Sequence, residues 1–345
     1  MPGDSSEAKT RANPVAAADA STTKTQWLKG QLHLHSNASG DSETPPADVA
    51  RWYSEHGYDF IVFTDHNRIT EIASPSAMLI IPGIELTQNM ETCSPRPLPG
   101  MACLLHVNGL FVGTDASAAS TVAAPTGPDR LELFSHAVEV TEALGGVALL
   151  NHPNFHYAAD ADLITALAGR GLTLLEVANE AVDSNNQGDS THPSTEALWD
   201  AVLTSGAKVW GVASDDAHHY YDAKAVRESG KLAHVGDRGW VMVRADPQVA
   251  SIRAALERGD FYSTNGVLLS TVRTDDSGTT VSVQDGSPAG PFRFEFIGDE
   301  GRVLDEQTGE AATWTWPADH RGYVRVRVRD TQGRTAWTQP AWRTR

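Results

Sequence analysis

The chain of 345 residues contains only two cysteines, Cys93 and Cys103. Two cysteines are too few for a disulfide scaffold, and their segment CSPRPLPGMAC lacks the paired CxxC spacing of a structural zinc site. We therefore expect two free thiols. A local disulfide is the alternative if the protein folds outside the cytoplasm, so the sequence leaves the compartment open, cytoplasmic or exported.

Long apolar runs and clusters of basic residues are also missing. No window approaches eighteen consecutive apolar residues, so the sequence predicts a soluble protein without a membrane-spanning helix. The formal net charge is −17, and an acidic surface without a local Lys/Arg cluster disfavours binding to extended nucleic acid. We expect a small-molecule ester as substrate, and nothing in the composition indicates an oligomeric state.

The first 26 residues are rich in Ala, Ser and Thr and contain no apolar segment like the centre of a signal peptide. Such a composition cannot bury enough surface to order itself, so we predict that this segment is disordered. It is either a native tail or the remainder of a processed export signal.

From residue 27 onward, short apolar runs alternate with segments of helical periodicity, which indicates parallel strands covered by helices. Seven runs are predicted as strands: 30–36, 60–66, 78–86, 102–107, 146–152, 172–179 and 208–216. Parallel strands that end in polar residues indicate a barrel with its active site at the C-terminal ends of the strands. Seven strands predict a distorted barrel over residues 27–268, and the alternating runs FRFEFIG and GYVRVRVRD predict a small antiparallel β domain over 269–345.

Nearly every predicted strand ends in His, Asp, Glu or Asn. His33 and His35 lie two apart in a strand, so their imidazoles point to the same face and can bind one cation. Since strand ends converge, we expect nine side chains to meet there: His33, His35, Asp65, His66, Glu85, His106, His152, Asp216 and His218. This mixed N/O set suits Zn, Mn or Fe better than Mg or Ca.

Each of these residues also has an ordinary structural explanation. Taken singly, the HxH pair fits two core histidines, Glu85 fits a salt bridge at the rim, and Asp65 and Asp216 fit turns. Together they favour a metal cluster in which Glu85 bridges two cations. Asp65 and Asp215 stand beside better ligands, so we expect each to hydrogen-bond a metal-binding imidazole instead.

The motifs HLHS with a following acidic residue, TDHN, GIE, LHVNGLF, NHP and SDDAH occur in that order and resemble the polymerase and histidinol phosphatase (PHP) superfamily over residues 30 to about 267. GYDFIVFTDHN, WGVASDDAHHY, RGWVMVRA and AWTQPAW resemble its carbaryl-hydrolase (CehA/McbA) branch. The resemblance implies an α/β fold, a distorted seven-stranded (β/α)7 TIM-like PHP barrel, and two or three divalent metal ions.

The resemblance also implies how the ligands divide. One metal would be held by His33, His35, Glu85 and Asp216, a second by Glu85, His106 and His152, and a third by Asp41, His66 and His218. Asp41 stands where many relatives carry His, so the third site has a harder oxygen ligand and its occupancy is open.

Two hydrolytic activities follow from the resemblance. The superfamily implies phosphomonoester or phosphodiester hydrolysis by a metal-bridging hydroxide, with Asp65, His218 or His219 assisting catalysis. The branch implies carbamate or carboxylic ester hydrolysis with the same ligands. The candidate substrate contacts are Asn67, Arg68, Asn151, His156 and Arg238, and the arginines favour a phosphoester. A non-catalytic metal- or phosphate-binding module is the alternative from another class, against which the complete ligand set argues.

Overall fold

The computed structural model describes residues 26–285 and 290–343. The first strand begins at Gln26, so the segment predicted to be disordered, apart from this residue, lies outside the described residues. The fold is mixed α/β. Its helices are α1 (Pro46–Glu55), α2 (Arg130–Ala143), α3 (Ala161–Ala168), α4 (Thr195–Thr204), α5 (Ala223–Glu228) and α6 (Val249–Arg258).

The strands follow in chain order. They are β1 (Gln26–Gln31), β2 (Phe60–Phe63), β3 (Leu79–Met90), β4 (Cys103–Leu110), β5 (Val147–Leu150), β6 (Leu174–Asn179), β7 (Trp210–Ser214), β8 (Trp240–Ala245), β9 (Phe261–Thr264), β10 (Leu269–Asp275), β11 (Gly278–Val283), β12 (Phe292–Ile297), β13 (Val303–Gly309), β14 (Ala311–Thr315), β15 (Tyr323–Arg329), β16 (Thr335–Thr338) and β17 (Ala341–Trp342).

One large sheet of 14 strands dominates the described part of the chain. Its order is β13-β12-β15-β16-β9-β8-β1-β2-β3-β4-β5-β6-β7, with β17 pairing β15 beside this path. Strands β1 to β3 and β5 to β7 pair in parallel, whereas β4 is antiparallel to both β3 and β5. The predicted distorted barrel of seven parallel strands is therefore correct only in part: the described strands form a large sheet and no closed barrel, and β4 is antiparallel to its neighbours. A single parallel bridge from Leu34 to Ala217 joins the segments that follow β1 and β7.

The direction of β4 has a simple cause. Parallel neighbours need a crossover of a dozen or more residues, usually through a helix that covers the sheet. The chain between β3 and β4 is a Pro-rich loop without a helix, and Met90 pairs directly with Cys103. The two strands therefore form a long antiparallel hairpin.

Local sequence signals fix the ends of the helices. Asp129, Asp160 and Ser194 each accept a hydrogen bond from the backbone N–H three residues later, which caps α2, α3 and α4. Gly259, with φ of 77°, ends α6 in the left-handed conformation that glycine adopts without steric cost. Among the described residues, no helix is long and apolar enough to cross a membrane.

The C-terminal strands are antiparallel, as the alternating sequence pattern predicts. β10, β11 and β14 form a separate three-stranded sheet. The remaining C-terminal strands continue the large sheet, because β16 pairs with β9. Phe294, Phe296 and Trp314 lie in the apolar core of this part of the protein.

Buried ion pairs attach the C-terminal strands to α4. Arg325 is fully buried and donates from Nε and Nη2 to the two carboxylate oxygens of Asp200, at 2.8 and 2.7 Å. Its Nη2 also lies 3.1 Å from Glu196, and the Tyr323 hydroxyl donates to Asp200 at 2.7 Å. Each buried charge therefore has a partner of opposite sign, which a charge removed from water requires.

We expect Arg325→Ala to lower the free energy of unfolding by about 3–5 kcal/mol, because it leaves buried carboxylates without their cation. Urea unfolding followed by circular dichroism measures this loss. Arg258→Ala is the control, since this arginine is 60% exposed and its pair with Asp260 should contribute less than about 1 kcal/mol. Equal losses in the two variants would contradict the assignment.

Candidate metal centre

A cavity of about 500 Å³ opens where the strands of the two parallel sheet segments end. Its wall contains seven of the candidate ligands: Asp41, His66, Glu85, His106, His152, Asp216 and His218. His33 and His35 lie directly behind them and are fully buried. The structure thus brings all nine side chains of the ligand set implied by the resemblance to one place.

Glu85 occupies the middle of this group. Its Oε1 lies 3.1 Å from Nδ1 of His106 and accepts a hydrogen bond from the Asn151 amide at 2.7 Å. Its Oε2 lies 2.6 Å from Nδ1 of His66. Glu85 and His106 sit within β3 and β4, although the sequence pattern placed both at strand ends, because the β3–β4 hairpin extends past the site.

His33 and His35 follow β1 and face the same side, as their spacing predicts. The Nε2 atoms of both rings lie 3.2 Å from Oδ1 of Asp216 and 3.5 Å from the Glu85 carboxylate. Asp216 has φ of 49° and His152 has φ of 21°, backbone conformations that are strained for residues other than glycine. Two candidate ligands are thus held at a conformational cost, as is common at functional sites.

Asp41 links the remaining imidazoles. Its Oδ2 lies 2.9 Å from Nε2 of His66 and 3.1 Å from Nε2 of His218. The Nδ1 atom of His66 also contacts the Thr87 hydroxyl at 2.6 Å, and Nδ1 of His218 contacts the backbone carbonyl of Asp216 at 3.0 Å. A carboxylate oxygen and two imidazole nitrogens therefore face one point at the mouth of the cavity.

Three sets of side chains have ligand atoms within 4.8 Å of one another, close enough to share a metal ion. They are His33, His35 and Asp216; His33, Glu85 and His152; and His35, Asp41, His66 and His218. This division differs in detail from the one that the resemblance implies. His33 belongs to two sets, and His106 approaches the centre through Glu85.

The carboxylates of the cluster are stabilised electrostatically by its imidazoles. Burial opposes ionisation of Glu85, but the neighbouring imidazoles, His106 first, outweigh it and hold the pKa of Glu85 well below its usual value. The same balance, led by His33, lowers the pKa of Asp216. Burial alone would lower the pKa of His66, yet Asp41 and Glu85 raise it to about 10. The carboxylates therefore stay ionised and need cations beside them.

Unsatisfied ring nitrogens indicate where such cations would bind. Nε2 of His33, Nε2 of His35 and Nδ1 of His106 are buried and have no hydrogen-bond partner. Buried polar atoms without partners are rare and costly, so three in one cluster require an explanation. Imidazole nitrogens beside ionised carboxylates form a donor set that fits Zn, Mn or Fe, so the residues present fit a divalent metal centre.

The carboxylate that supports an imidazole from behind is Glu176, a residue that the sequence pattern did not single out. It is fully buried in β6, and its Oε1 lies 2.7 Å from Nδ1 of His33. The expectation that Asp215 has this role is wrong. Asp215 accepts hydrogen bonds from the Tyr53 hydroxyl and from the backbone N–H groups of residues 237–239.

Asp65 supports an imidazole only indirectly. It is fully buried, does not line the cavity, and accepts hydrogen bonds from Ser36, Ser39 and Thr70. The Ser39 hydroxyl lies 2.9 Å both from Asp65 and from Nδ1 of His35. Asp65 therefore orients His35 through Ser39, and its placement does not favour the predicted catalytic role.

Most predicted substrate contacts lie away from the cavity. Arg68, Arg238 and Asn67 are exposed and do not line it, and Nδ1 of His156 accepts a hydrogen bond from the backbone N–H of Ala102. Asn151 lies at the site but is buried against Glu85.

Other residues form the outer wall. The sequence did not single out Asn89, Leu104, Ala181, Asp183, Ser184, Lys231, Leu232 and His234, whereas the predicted catalytic residue His219 does line the cavity.

The two cysteines form a disulfide between Cys93 and Cys103, so the expectation of free thiols is wrong. The bond closes the loop between β3 and β4, and Leu104, the next residue, lines the cavity. The pairing of Met90 with Cys103 brings both ends of the loop together, which sequence spacing alone did not show.

Comparisons with known proteins add little to this geometry. No family model matches the chain, and no curated protein matches it. Among solved structures, an amidohydrolase from Chromobacterium violaceum with bound sulfate and no metal is similar over 55% of this chain and 87% of its own length. The sequence identity is 14% and the TM-score is 0.38, a likeness too distant to carry an argument about the site.

We expect added Zn²⁺ or Mn²⁺ to raise the midpoint of thermal unfolding and a chelator to lower it. A metal ion that binds only the folded state, at a free concentration 100 times its Kd, raises the free energy of unfolding by about 2.7 kcal/mol. His35→Ala should reduce this gain, whereas His136→Ala, on α2 outside the cluster, should retain it. The same gain in both variants in a thermal shift assay would count against the site.

Proposed function

We propose that this protein is a metal-dependent hydrolase of the PHP type and that it cleaves phosphoesters. The observation that carries the proposal is the position of Glu85, a buried carboxylate surrounded by imidazoles at the base of one cavity. A structural role alone would not require so many titratable groups with unsatisfied nitrogens. The resemblance of the motifs to the PHP superfamily agrees with this interpretation.

The residues that would hold the metal ions are the three sets described above. Cations bound there would act as Lewis acids on the substrate and would activate a water molecule for attack. The chain itself supplies a cavity and the ligands that line it. Asn151 holds Glu85 through its amide at 2.7 Å, so the central carboxylate cannot rotate freely.

His219 is the residue best placed to donate a hydrogen bond to the leaving oxygen. Burial lowers its pKa below the usual value, so its ring is neutral near pH 7. Its Nδ1 accepts the backbone N–H of His234 at 3.2 Å, which places the ring proton on Nε2. His219 lines the cavity beside His218, within reach of a substrate held at the metal centre.

The outer wall favours a phosphoester for a different reason from the one that the sequence suggested. Arg68 and Arg238 do not reach the cavity, but Lys231, His219 and His234 line it. Lysine acts on a phosphate as a point charge, and imidazole N–H groups donate to its oxygens. The outer wall of the cavity therefore presents one cationic donor, Lys231, and two imidazoles.

One observation favours the alternative of carbamate or carboxylic ester hydrolysis. Leu104, Phe155, Ala181 and Leu232 also line the cavity and form an apolar wall that suits an organic group. The same ligand set serves attack at a carbonyl carbon. A binding module without turnover is the remaining alternative, and only an assay separates it from an enzyme.

The disulfide supports a proposal about the compartment. Disulfides persist in oxidising environments and are rare in the cytosol of mesophiles. We therefore favour an exported protein over a cytoplasmic one.

Hydrolysis assays with nitrophenyl phosphate, bis-nitrophenyl phosphate and a nitrophenyl carbamate, each with added Zn²⁺ or Mn²⁺, test the reaction. We expect turnover of a phosphoester that His35→Ala or His152→Ala abolishes while the circular dichroism spectrum stays that of the folded protein. Turnover of the carbamate alone would replace the proposed reaction with the alternative. The absence of turnover with every substrate and metal would favour the binding module.

Lys231→Ala tests the phosphate contact. We expect KM for the phosphoester to rise about fivefold, equivalent to about 1 kcal/mol, with kcat less affected, because an exposed lysine contributes modestly to anion binding. Lys224→Ala is the matched control, since this side chain on α5 is 87% exposed and does not line the cavity. If the two variants have the same KM, Lys231 does not contact the substrate.

A further inference from the structure

Glu176 receives four hydrogen bonds within the core behind the metal centre. Its Oε1 lies 2.7 Å from Nδ1 of His33 and accepts the Ser214 hydroxyl at 2.5 Å. Its Oε2 accepts the backbone N–H of His152 at 2.6 Å and the side-chain amide of Asn179 at 2.9 Å. Both oxygens of a fully buried carboxylate are thus saturated, and two of the partners are candidate metal ligands.

The partners of Oε2 can only donate. The N–H of His152 has no acceptor role, and the amide orientation of Asn179 is fixed because its Oδ1 accepts the backbone N–H of Ala181 at 3.0 Å. The partners of Oε1 differ, since an imidazole nitrogen and a hydroxyl can each either donate or accept. The Ser214 hydroxyl donates to Oε1, and with both oxygens of Glu176 acting as acceptors, the proton in the contact with His33 lies on Nδ1.

We propose that Glu176 is a positioning residue that fixes the His33 ring with its proton on Nδ1, leaving Nε2 free to bind a metal ion. This inference rests on the metal centre of the proposed function. The Nε2 atom has no hydrogen-bond partner and lies 3.2 Å from Asp216 and 3.5 Å from Glu85. His33 belongs to one candidate ligand set with Asp216 and to another with Glu85. Through its second oxygen, Glu176 also holds the backbone of His152 at φ of 21°.

Glu176→Gln is the direct test, because glutamine has the same shape but replaces one acceptor oxygen with a donor. The backbone N–H of His152 and the side-chain amide of Asn179 can only donate, so their hydrogen bonds keep the remaining side-chain oxygen on their side. The new amide nitrogen then faces His33 and donates to Nδ1, which moves the ring proton to Nε2. A protonated Nε2 cannot bind a metal, so the substitution should weaken zinc binding with the fold preserved.

Zinc binding by the full-length protein is measured by isothermal titration calorimetry and by metal content after dialysis. We expect Glu176→Gln to weaken the affinity for zinc by about 10- to 100-fold, the usual effect of removing the partner of a metal-binding histidine. Ser214→Ala is the matched control, because it removes another donor to Oε1 but leaves the carboxylate that fixes His33. Wild-type affinity in Glu176→Gln, or an equal loss in Ser214→Ala, would overturn the proposal.

Nitrogen-15 NMR of the zinc-loaded wild-type protein, with the His33 signals assigned through His33→Gln, tests the proposal even if Glu176→Gln fails to fold. We expect a proton on Nδ1 of His33 and a metal-bound shift for Nε2. A proton on Nε2 or zinc on Nδ1 would overturn the proposal. These measurements use no substrate, so a protein that binds zinc as described but hydrolyses nothing would contradict the proposed function and leave the role of Glu176 intact.

Discussion

The structure around the cavity depends on the burial of negative charge. Glu85 and Asp216 line the cavity, Glu176 is buried behind them, and the low pKa of each carboxyl means that burial does not neutralise it. Ionised carboxylates removed from water require cations nearby, either protonated imidazoles or metal ions. The histidines around them can serve as either kind of partner, because an imidazole that releases its proton becomes a metal ligand. A metal ion bound in this cluster would therefore displace protons from the imidazoles.

The sequence placed the correct types of side chain near one another, but partly for the wrong reason. The prediction assumed seven parallel strands whose ends meet at a barrel mouth. In the structure, β4 is antiparallel, and Glu85 and His106 approach each other across a hairpin in which Thr87 pairs with His106. Hydrophobic periodicity identifies strands but not their direction, which here depends on a loop that contains no helix.

Glu176 escaped prediction because of its surroundings in the sequence. It lies in the apolar run LTLLEVAN, which reads as an ordinary buried strand, and no neighbouring motif marks it. Asp65 and Asp215 stood beside ligand motifs and were chosen for that reason, yet their oxygens bind hydroxyls and backbone N–H groups. Adjacency along the chain therefore indicated which region is functional but not which carboxylate contacts which imidazole. The sequence signal for Glu176 is a charged residue inside an otherwise apolar strand, because a buried charge requires hydrogen-bond or ionic partners.

The disulfide and the outer wall of the cavity also depend on contacts between segments that the sequence pattern did not predict. Cys93 and Cys103 meet because the β3–β4 hairpin brings its ends together, and Lys231 reaches the cavity from a loop far along the chain. Among the candidate ligands, Glu85 and His106 lie within strands, and the others lie in the segments that follow strands. The wall is mixed in the same way, because Leu104 lies in β4 whereas Lys231 lies in a loop, where packing constrains a side chain less. Under the proposed function, the buried cluster would set the activation of water, and the side chains of the outer wall would set the choice between a phosphoester and a carbamate.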